Sequence, residues 1–132
     1  LFYPQLPGLD FRQLCSEGQV RLLEPLATQL AGLHHKGIYF RAIHLGNLLH
    51  QESEGLALLD ISDLYVRNRP LRLLLRARNI LHLIRARQDR QYFESFGPDR
   101  FIAEYLQASG LSAWRAAIVR NRILVGLRFG KT

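Results

Sequence analysis

The segment from Leu30 to Asp63 constrains the fold of this chain more than any other. It opens as the end of an amphipathic helix, because leucines recur at helical spacing up to Gly37, and glycine commonly terminates helices. After a loop, two short apolar runs at 47–50 and 56–59 flank the polar stretch 51–55, which predicts a β-hairpin. We therefore expect a helix, a loop and a hairpin in direct succession.

The remaining long segments carry helical patterns. Apolar residues recur at helical spacing, and glycine or proline separates one segment from the next. We expect mainly α structure with a small β-hairpin, in a single domain over residues 1–132. Asp10 is expected to cap the first short helix. The predicted helices are Asp10–Cys15, Gln19–Lys36, a second long helix Pro70–Gln91, Arg100–Ala108 and Ser112–Val125.

The composition fits a folded domain that needs no disulfide. Hydrophobic residues make up 48% of the 132 residues, which excludes a disordered chain. No apolar run reaches the roughly 20 residues that span a bilayer. Cys15 is the only cysteine, so the chain forms no internal disulfide. These features predict a cytoplasmic protein.

Positive charge is concentrated in one segment. Eight arginines lie between Arg67 and Arg90, where Asp89 is the only acidic residue, and the whole chain has a net charge of +7. Arginine binds phosphate through a planar fork, so the segment suits a phosphorylated glycan, an anionic lipid surface or nucleic acid. At helical spacing Arg72 and Arg76 share one face, and Arg78, His82 and Arg85 share another, and such rows suit the phosphates of a glycan or lipid surface. The alternative is that the arginines form a solvated face.

Polar residues in and after the loop have the spacing of a phosphoryl-transfer site. In kinases the motif H-R-D-x-x-x-x-N precedes a hairpin, and the triplet D-F-G follows it. On this chain the first triplet falls on Phe40–Ala42, the asparagine on Asn47 and the second triplet on Asp60–Ser62. The order of these elements and motifs resembles the C-terminal lobe of protein-kinase-like enzymes.

Two further similarities narrow the family. The run A-I-H-L-G-N from Ala42 to Asn47 is similar to the D-L-H-x-x-N part of aminoglycoside- and choline-kinase-like motifs, apart from the aspartate. The chain also resembles the bacterial lipopolysaccharide-core sugar kinases, which phosphorylate heptose or Kdo, and the toluene-tolerance-type proteins. Those proteins likewise carry an arginine-rich segment after the metal-binding aspartate. The resemblance covers most of residues 1–110.

The resemblance implies a domain organisation and a nucleotide site. Residues 1–8 would form the end of an N-lobe strand and the hinge, residues 9–132 the kinase-like C-lobe, and the N-lobe would precede residue 1. Backbone groups of Gln5 and Leu6 would bind the adenine of ATP. Asn47 and Asp60 would bind the nucleotide through Mg²⁺, which prefers hard oxygen ligands.

The resemblance also implies a substrate and a place. The full-length protein would phosphorylate a sugar hydroxyl of a phosphorylated glycan or lipopolysaccharide core. It would lie in the cytoplasm, peripheral to the inner membrane, with the Arg67–Arg90 segment against the membrane surface. The chain without an N-lobe is expected to be inactive.

Ala42 stands where the family has its catalytic aspartate. A methyl group accepts no proton from a substrate hydroxyl, so two explanations stay open. In one, His44 or Asp63 replaces the base, and Arg41 pairs with a carboxylate near Asp60, which makes His44 and Arg41 the candidate catalytic residues. In the other, the protein is a pseudokinase that binds a partner. A basic nucleic-acid-binding domain is a third alternative, which no helix-turn-helix signature supports.

Aromatic and histidine side chains outside the loop receive structural interpretations. Trp114, Tyr92 and Phe93 are expected in the core. His34 and His35 lie at the end of the first long helix, where they are expected to bond its terminal carbonyl groups.

Overall fold

A computed structural model describes residues 10–41, 43–51, 55–58 and 64–129. In these ranges the chain is mainly helical and contains a small antiparallel hairpin, which confirms that part of the prediction. The α-helices are α1 (Phe11–Ser16), α2 (Leu23–His35), α3 (Leu73–Arg85), α4 (Arg90–Phe96), α5 (Pro98–Ser109) and α6 (Ala113–Phe129). The strands are β1 (Ile38–Phe40), β2 (Leu48–Gln51), β3 (Gly55–Leu58) and β4 (Leu64–Val66), and short 3₁₀ turns span Val20–Leu22 and Leu45–Asn47.

The N-terminal turns of α1 and α2 contain residue types that suit these positions. The Asp10 side chain accepts a hydrogen bond from the backbone N–H of Gln13 at 2.8 Å, so the predicted N-cap of α1 is confirmed. Helix α2 starts at Leu23 rather than Gln19, because the preceding residues form the 3₁₀ turn. Pro25 lies in the first helical turn, where its missing N–H leaves no hydrogen bond unmade.

Gly37 ends α2 and allows a close approach of two backbone segments. Its φ of +90° lies in the left-handed region, which glycine enters without a Cβ clash. A Cβ atom at this position would lie 2.5 Å from the carbonyl oxygens of Arg67 and Arg69. The contact is closed by a hydrogen bond from the Arg67 N–H to the Gly37 carbonyl at 2.9 Å. Gly37 therefore fixes where the chain returns after the hairpin.

The four strands form two separate antiparallel pairs. Strands β2 and β3 form the predicted hairpin, with Leu48 opposite Leu58. Strands β1 and β4 also pair, with Ile38 opposite Val66, and neither is among the predicted elements. Each of these strands has only three residues, and its partner is distant in sequence, so the sequence shows no periodic pattern that would indicate them.

The core lies around α2. This helix packs mainly against α5, while α3 packs against α6. Leu26 and Leu30 of α2 are fully buried, and truncating one such leucine to alanine typically destabilises a protein by about 2–5 kcal/mol. The rings of Phe93 and Phe101 meet edge to face, with centroids 5.1 Å apart. The core position predicted for Phe93 is confirmed.

Two expectations for the helices are wrong. The second long helix does not run from Pro70 to Gln91: α3 ends at Arg85, and a turn separates it from α4. The turn buries Asp89, which binds groups outside the helix. Trp114 is not a core residue, because α6 leaves its side chain 62% exposed.

Candidate functional site

The loop that follows β1 is the candidate functional site. It begins at Arg41, directly after Phe40, and ends in the 3₁₀ turn at Asn47, which leads straight into β2. The loop therefore connects the two antiparallel strand pairs. Buried polar side chains from later parts of the chain hold it at two points.

The first of these side chains is Asn79 of α3, which binds the backbone at the start of the loop. Its Nδ2 donates to the carbonyl oxygen of Phe40 at 2.8 Å, and its Oδ1 accepts from the Phe40 N–H at 3.3 Å. Asn79 is fully buried, so these hydrogen bonds satisfy backbone groups that water does not reach. They fix the position of Phe40, which packs in the core.

A series of buried, hydrogen-bonded side chains extends from Asn79 into the centre of the protein. The Nε2 of His34 lies 2.8 Å from the Asn79 Oδ1, and its Nδ1 lies 2.6 Å from the Tyr105 hydroxyl. Because the Asn79 Oδ1 only accepts, His34 carries its proton on Nε2 and accepts from the Tyr105 O–H at Nδ1. His34 thus does not bond the terminal carbonyls of its own helix, contrary to the prediction.

Burial determines the protonation states of His34 and Tyr105 in this series. It lowers the pKa of His34 to about 4, an effect that the nearby Arg76 reinforces and the hydrogen bond to Asn79 opposes. Burial raises the pKa of Tyr105, although the charge and hydrogen bonding of Arg76 lower it in part. Both rings are therefore neutral at pH 7 and serve as hydrogen-bonding groups rather than charges.

Arg76 lies next to Tyr105, at the inner end of this series of buried side chains. Its side chain is only 2% exposed, and its Nε donates to the Leu71 carbonyl oxygen at 3.0 Å. Its Nη1 has no hydrogen-bond partner among the residues that the structure describes. Arg76 therefore does not belong to a solvated face with Arg72, which is exposed, and that alternative for the arginine segment is wrong at this position.

The second side chain that holds the loop is Asp89. Its carboxylate accepts from the Leu45 N–H at 2.9 Å and from the Arg12 guanidinium at 2.6 and 3.3 Å. Asp89 is fully buried, while the Arg12 side chain is 31% exposed. The hydrogen bond to Asp89 raises the pKa of Arg12. The ion pair ties the loop to both α1 and the turn before α4.

His44 lies inside the loop and braces it. Its Nδ1 accepts from the Gly46 N–H at 3.2 Å and lies 3.1 Å from the Nη2 of Arg12. Since both neighbours are donors, this nitrogen carries no proton, and Nε2 carries the proton of the neutral ring. The catalytic role of His44 stays a prediction, and the observed contacts are those of a loop-holding residue.

The other predicted site residues divide into two groups. Arg41 is exposed at the start of the loop, and Asn47 is half-buried at its end, where its N–H donates to the His44 carbonyl at 3.0 Å. The remaining ones lie outside the described residues: Gln5, Leu6, Ala42, Asp60 and Asp63. In the part of the chain that the structure does describe, no group of three or more His, Cys, Asp or Glu residues could hold a metal ion.

The residues that hold the loop were missed by sequence reasoning. Asn79 and Asp89 fall within a segment interpreted as one long helix and as an arginine-rich cluster, and neither they nor Arg12 received a role. One signal was available: Asp89 is the single acidic residue among eight arginines, an arrangement that a purely solvated basic face would not need. The partners of Asn79, by contrast, are backbone groups and a histidine distant in sequence.

Comparisons with known proteins identify no family for this chain. No protein-family model matches it, and no curated protein matches it. Among the described helices, none combines the length and apolar character that crossing a membrane requires.

Proposed function

We propose that this chain is the C-lobe of a kinase-like protein of the lipopolysaccharide-core sugar kinase type. The whole protein would bind Mg²⁺–ATP and transfer phosphate to a sugar hydroxyl. One observation carries the proposal: a loop with buried polar supports at both Phe40 and Leu45 runs directly into an antiparallel hairpin. The motif spacing of the sequence falls on this loop and hairpin.

The hairpin register supports the proposal that the two predicted metal ligands, Asn47 and Asp60, lie at the same end of the hairpin. Asn47 directly precedes β2, and Leu48 lies opposite Leu58, the last residue of β3. Asp60 follows Leu58 by two residues, which span at most about 7 Å. An amide oxygen and a carboxylate are hard donors of the kind that Mg²⁺ prefers, so the donor set fits the ion.

A firmly held loop suits this chemistry. Phosphoryl transfer depends on positioning and on neutralising charge, and there is little covalent work for the protein to do. Asn79 and Asp89 hold the loop backbone from its buried side, while Arg41 is exposed and able to reach a phosphate or a carboxylate. Bound ATP would supply the phosphoryl group, and its Mg²⁺ would neutralise the developing charge.

The second candidate function is a pseudokinase that binds nucleotide or a partner without transfer. Ala42 offers no carboxylate to orient the substrate hydroxyl. The Nδ1 of His44 is occupied by the Gly46 N–H and faces the Arg12 cation, which disfavours this nitrogen as a proton acceptor. This observation supports the pseudokinase over a kinase in which His44 replaces the missing base.

The proposal implies an N-lobe beside this chain, so the test uses the whole protein as its native host expresses it. Mg²⁺-dependent ATP binding is measured by calorimetry, and phosphate transfer to core oligosaccharide is followed with labelled ATP. Asp60→Asn is expected to abolish the Mg²⁺ dependence of binding, whereas Asp99→Asn, at an exposed position of α5, should leave it unchanged. Mg²⁺-dependent binding that survives Asp60→Asn would contradict the proposed metal site.

A second variant separates the two candidate functions. Ala42→Asp restores the family carboxylate next to the loop. Transfer that appears only in Ala42→Asp would identify a pseudokinase with an otherwise competent site. Transfer by the unchanged protein would instead identify an active kinase that works without a carboxylate at position 42. Absence of nucleotide binding in every variant would rule out the kinase and the nucleotide-binding pseudokinase.

A further inference from the structure

Helix α6 is apolar on two opposite faces. One face is buried against α3: Val119 and Ile123 are fully buried, and Gly126 packs so closely on Leu81 that an added Cβ would clash with the leucine side chain. Burial of this face accounts for the attachment of α6 to the fold. On the second face, Ile118 is half-buried, while Trp114 and Val125 remain largely exposed in the described structure.

The second face is a stripe that we call the α6 outer stripe, made of Trp114, Ile118, Asn121 and Val125. At 100° per residue these positions lie within about 60° of one another and extend over about 17 Å. The side chain of Trp114 is 62% exposed and that of Val125 is 54% exposed. Exposed large apolar groups in such a row indicate a contact surface rather than scattered surface residues.

The charged residues of helix α6 itself have a single sign. Helix α6 contains four arginines and no acidic residue, and the last acidic residue of the whole chain is Glu104. By helical geometry, Arg115 and Arg122 flank the α6 outer stripe on one side and Arg128 on the other. The Arg115 guanidinium lies 5.1 Å from the centre of the Trp114 ring. The stripe is therefore complementary to an anionic surface.

We propose that the α6 outer stripe docks on an anionic lipid bilayer. Tryptophan favours the boundary between headgroups and acyl chains, Ile118 and Val125 would insert shallowly, and the flanking arginines would bind lipid phosphates. A straight, convex stripe fits a flat surface without a matching groove. Nucleic acid fits less well, because exposed aliphatic side chains add no base or phosphate contacts. The surface does not include the loop from Arg41 to Asn47.

Trp114 makes the test direct, because it is the only tryptophan of the chain. Its fluorescence is recorded while the chain is titrated with vesicles of phosphatidylcholine alone or mixed with phosphatidylglycerol. We expect a blue shift and co-sedimentation only with the anionic vesicles, weakened by added salt. Quenching by brominated acyl chains should show that the ring enters the bilayer. Absence of a shift with anionic vesicles overturns the proposal.

Matched variants locate the contact. Val125→Glu places a carboxylate in the stripe and should weaken partitioning about tenfold, since it adds charge repulsion to lost apolar insertion. Leu74→Glu is the control, because Leu74 of α3 is equally apolar and 52% exposed. Arg122→Ala should weaken binding about fivefold, while Arg21→Ala, at an exposed position of the 3₁₀ turn Val20–Leu22, should have no effect. Far-UV circular dichroism verifies that each variant is folded.

Two outcomes would assign the surface elsewhere. A fluorescence shift with duplex DNA or polyglutamate but not with anionic vesicles would replace the bilayer by nucleic acid or by an acidic protein. Equal losses for Leu74→Glu and Val125→Glu would show that binding does not depend on the α6 outer stripe. Either result contradicts the proposal.

Discussion

The side-chain amide of Asn79 forms two hydrogen bonds with the backbone of Phe40: it donates to the Phe40 carbonyl oxygen and accepts from the Phe40 N–H. A single buried side chain thus satisfies both backbone groups of the residue that precedes the candidate loop. The same Oδ1 accepts from His34, which links the loop to the centre of the core. The position of the residue that leads into the loop therefore depends on this one amide.

Replacing Asn79 by leucine should strongly destabilise the protein. The variant leaves two backbone groups of Phe40 and the Nε2–H of His34 buried without partners, so we expect the free energy of unfolding to fall by about 3 kcal/mol. Urea unfolding followed by circular dichroism measures it. Asn121→Leu, at an exposed position of α6, should change the value by less than about 0.5 kcal/mol. Equal effects of the two variants would contradict the role of Asn79.

Removing the Arg12 cation should destabilise the protein more than removing an exposed arginine. Arg12→Met leaves the buried Asp89 carboxylate without its ionic partner, and we expect a loss of about 3 kcal/mol. The matched control is Arg100→Met, which breaks an exposed pair with Glu24 and a stacking contact with Phe96, worth about 1 kcal/mol together. Chemical denaturation of both variants compares them directly. A loss for Arg12→Met no larger than for Arg100→Met would show that the ion pair is unimportant.

Acidification should destabilise the fold through His34. Its folded pKa of about 4 lies below the ordinary value of 6.5, so below pH 6.5 the unfolded chain takes up a proton that the folded protein does not. The stability that depends on a neutral His34 is fully present above pH 6.5. As the pH falls from 6.5 to about 4, the free energy of unfolding decreases by up to about 1.4 kcal/mol per pH unit.

The neighbouring histidine provides the control for this pH dependence. His34→Gln should flatten the decrease in stability between pH 6.5 and 4, because glutamine does not titrate. His35→Gln should keep the decrease, since His35 is exposed. Thermal unfolding at several pH values measures both. A decrease that persists unchanged in His34→Gln would rule out His34 as its source.

Two glycines with nearly equal φ values separate backbone strain from steric clash. Gly37 and Gly18 have φ values of +90° and +91°, but an added Cβ meets two carbonyl oxygens at Gly37 and open space at Gly18. Gly18→Ala should therefore cost about 1–2 kcal/mol from the left-handed backbone alone. Gly37→Ala should cost at least about 2 kcal/mol more, as in overpacked sites. Equal losses of unfolding free energy would show that the close approach at Gly37 relaxes without cost.

The parts of the fold that follow local rules were predictable from the sequence. The N-cap at Asp10, the end of α2 at Gly37 and the hairpin after Asn47 each rest on residues close together in the chain. Turn chemistry and periodicity act over a few residues, so the sequence displays them directly. The bounds shifted by a few residues, as with the start of α2 at Leu23.

The supports of the candidate site were not predictable, because they join residues far apart in sequence. Asn79 reaches Phe40 across 39 positions, and Asp89 reaches Leu45 across 44. Periodicity placed Asp89 inside a continuous helix, whereas its buried contacts require the chain to turn after Arg85. Trp114 was assigned to the core on residue type, although α6 turns it outward.

The supports of the loop also fix when it forms. During synthesis the loop emerges well before Asn79 and Asp89, so Phe40 lacks its side-chain partner until another 39 residues have been added, and Leu45 until another 44. Closing such a long span is entropically unfavourable and becomes worthwhile only once α3 has formed and the turn after it is in place. The nascent chain should therefore acquire its candidate site late, and a fragment that stops before Asp89 should contain the loop's sequence without its shape.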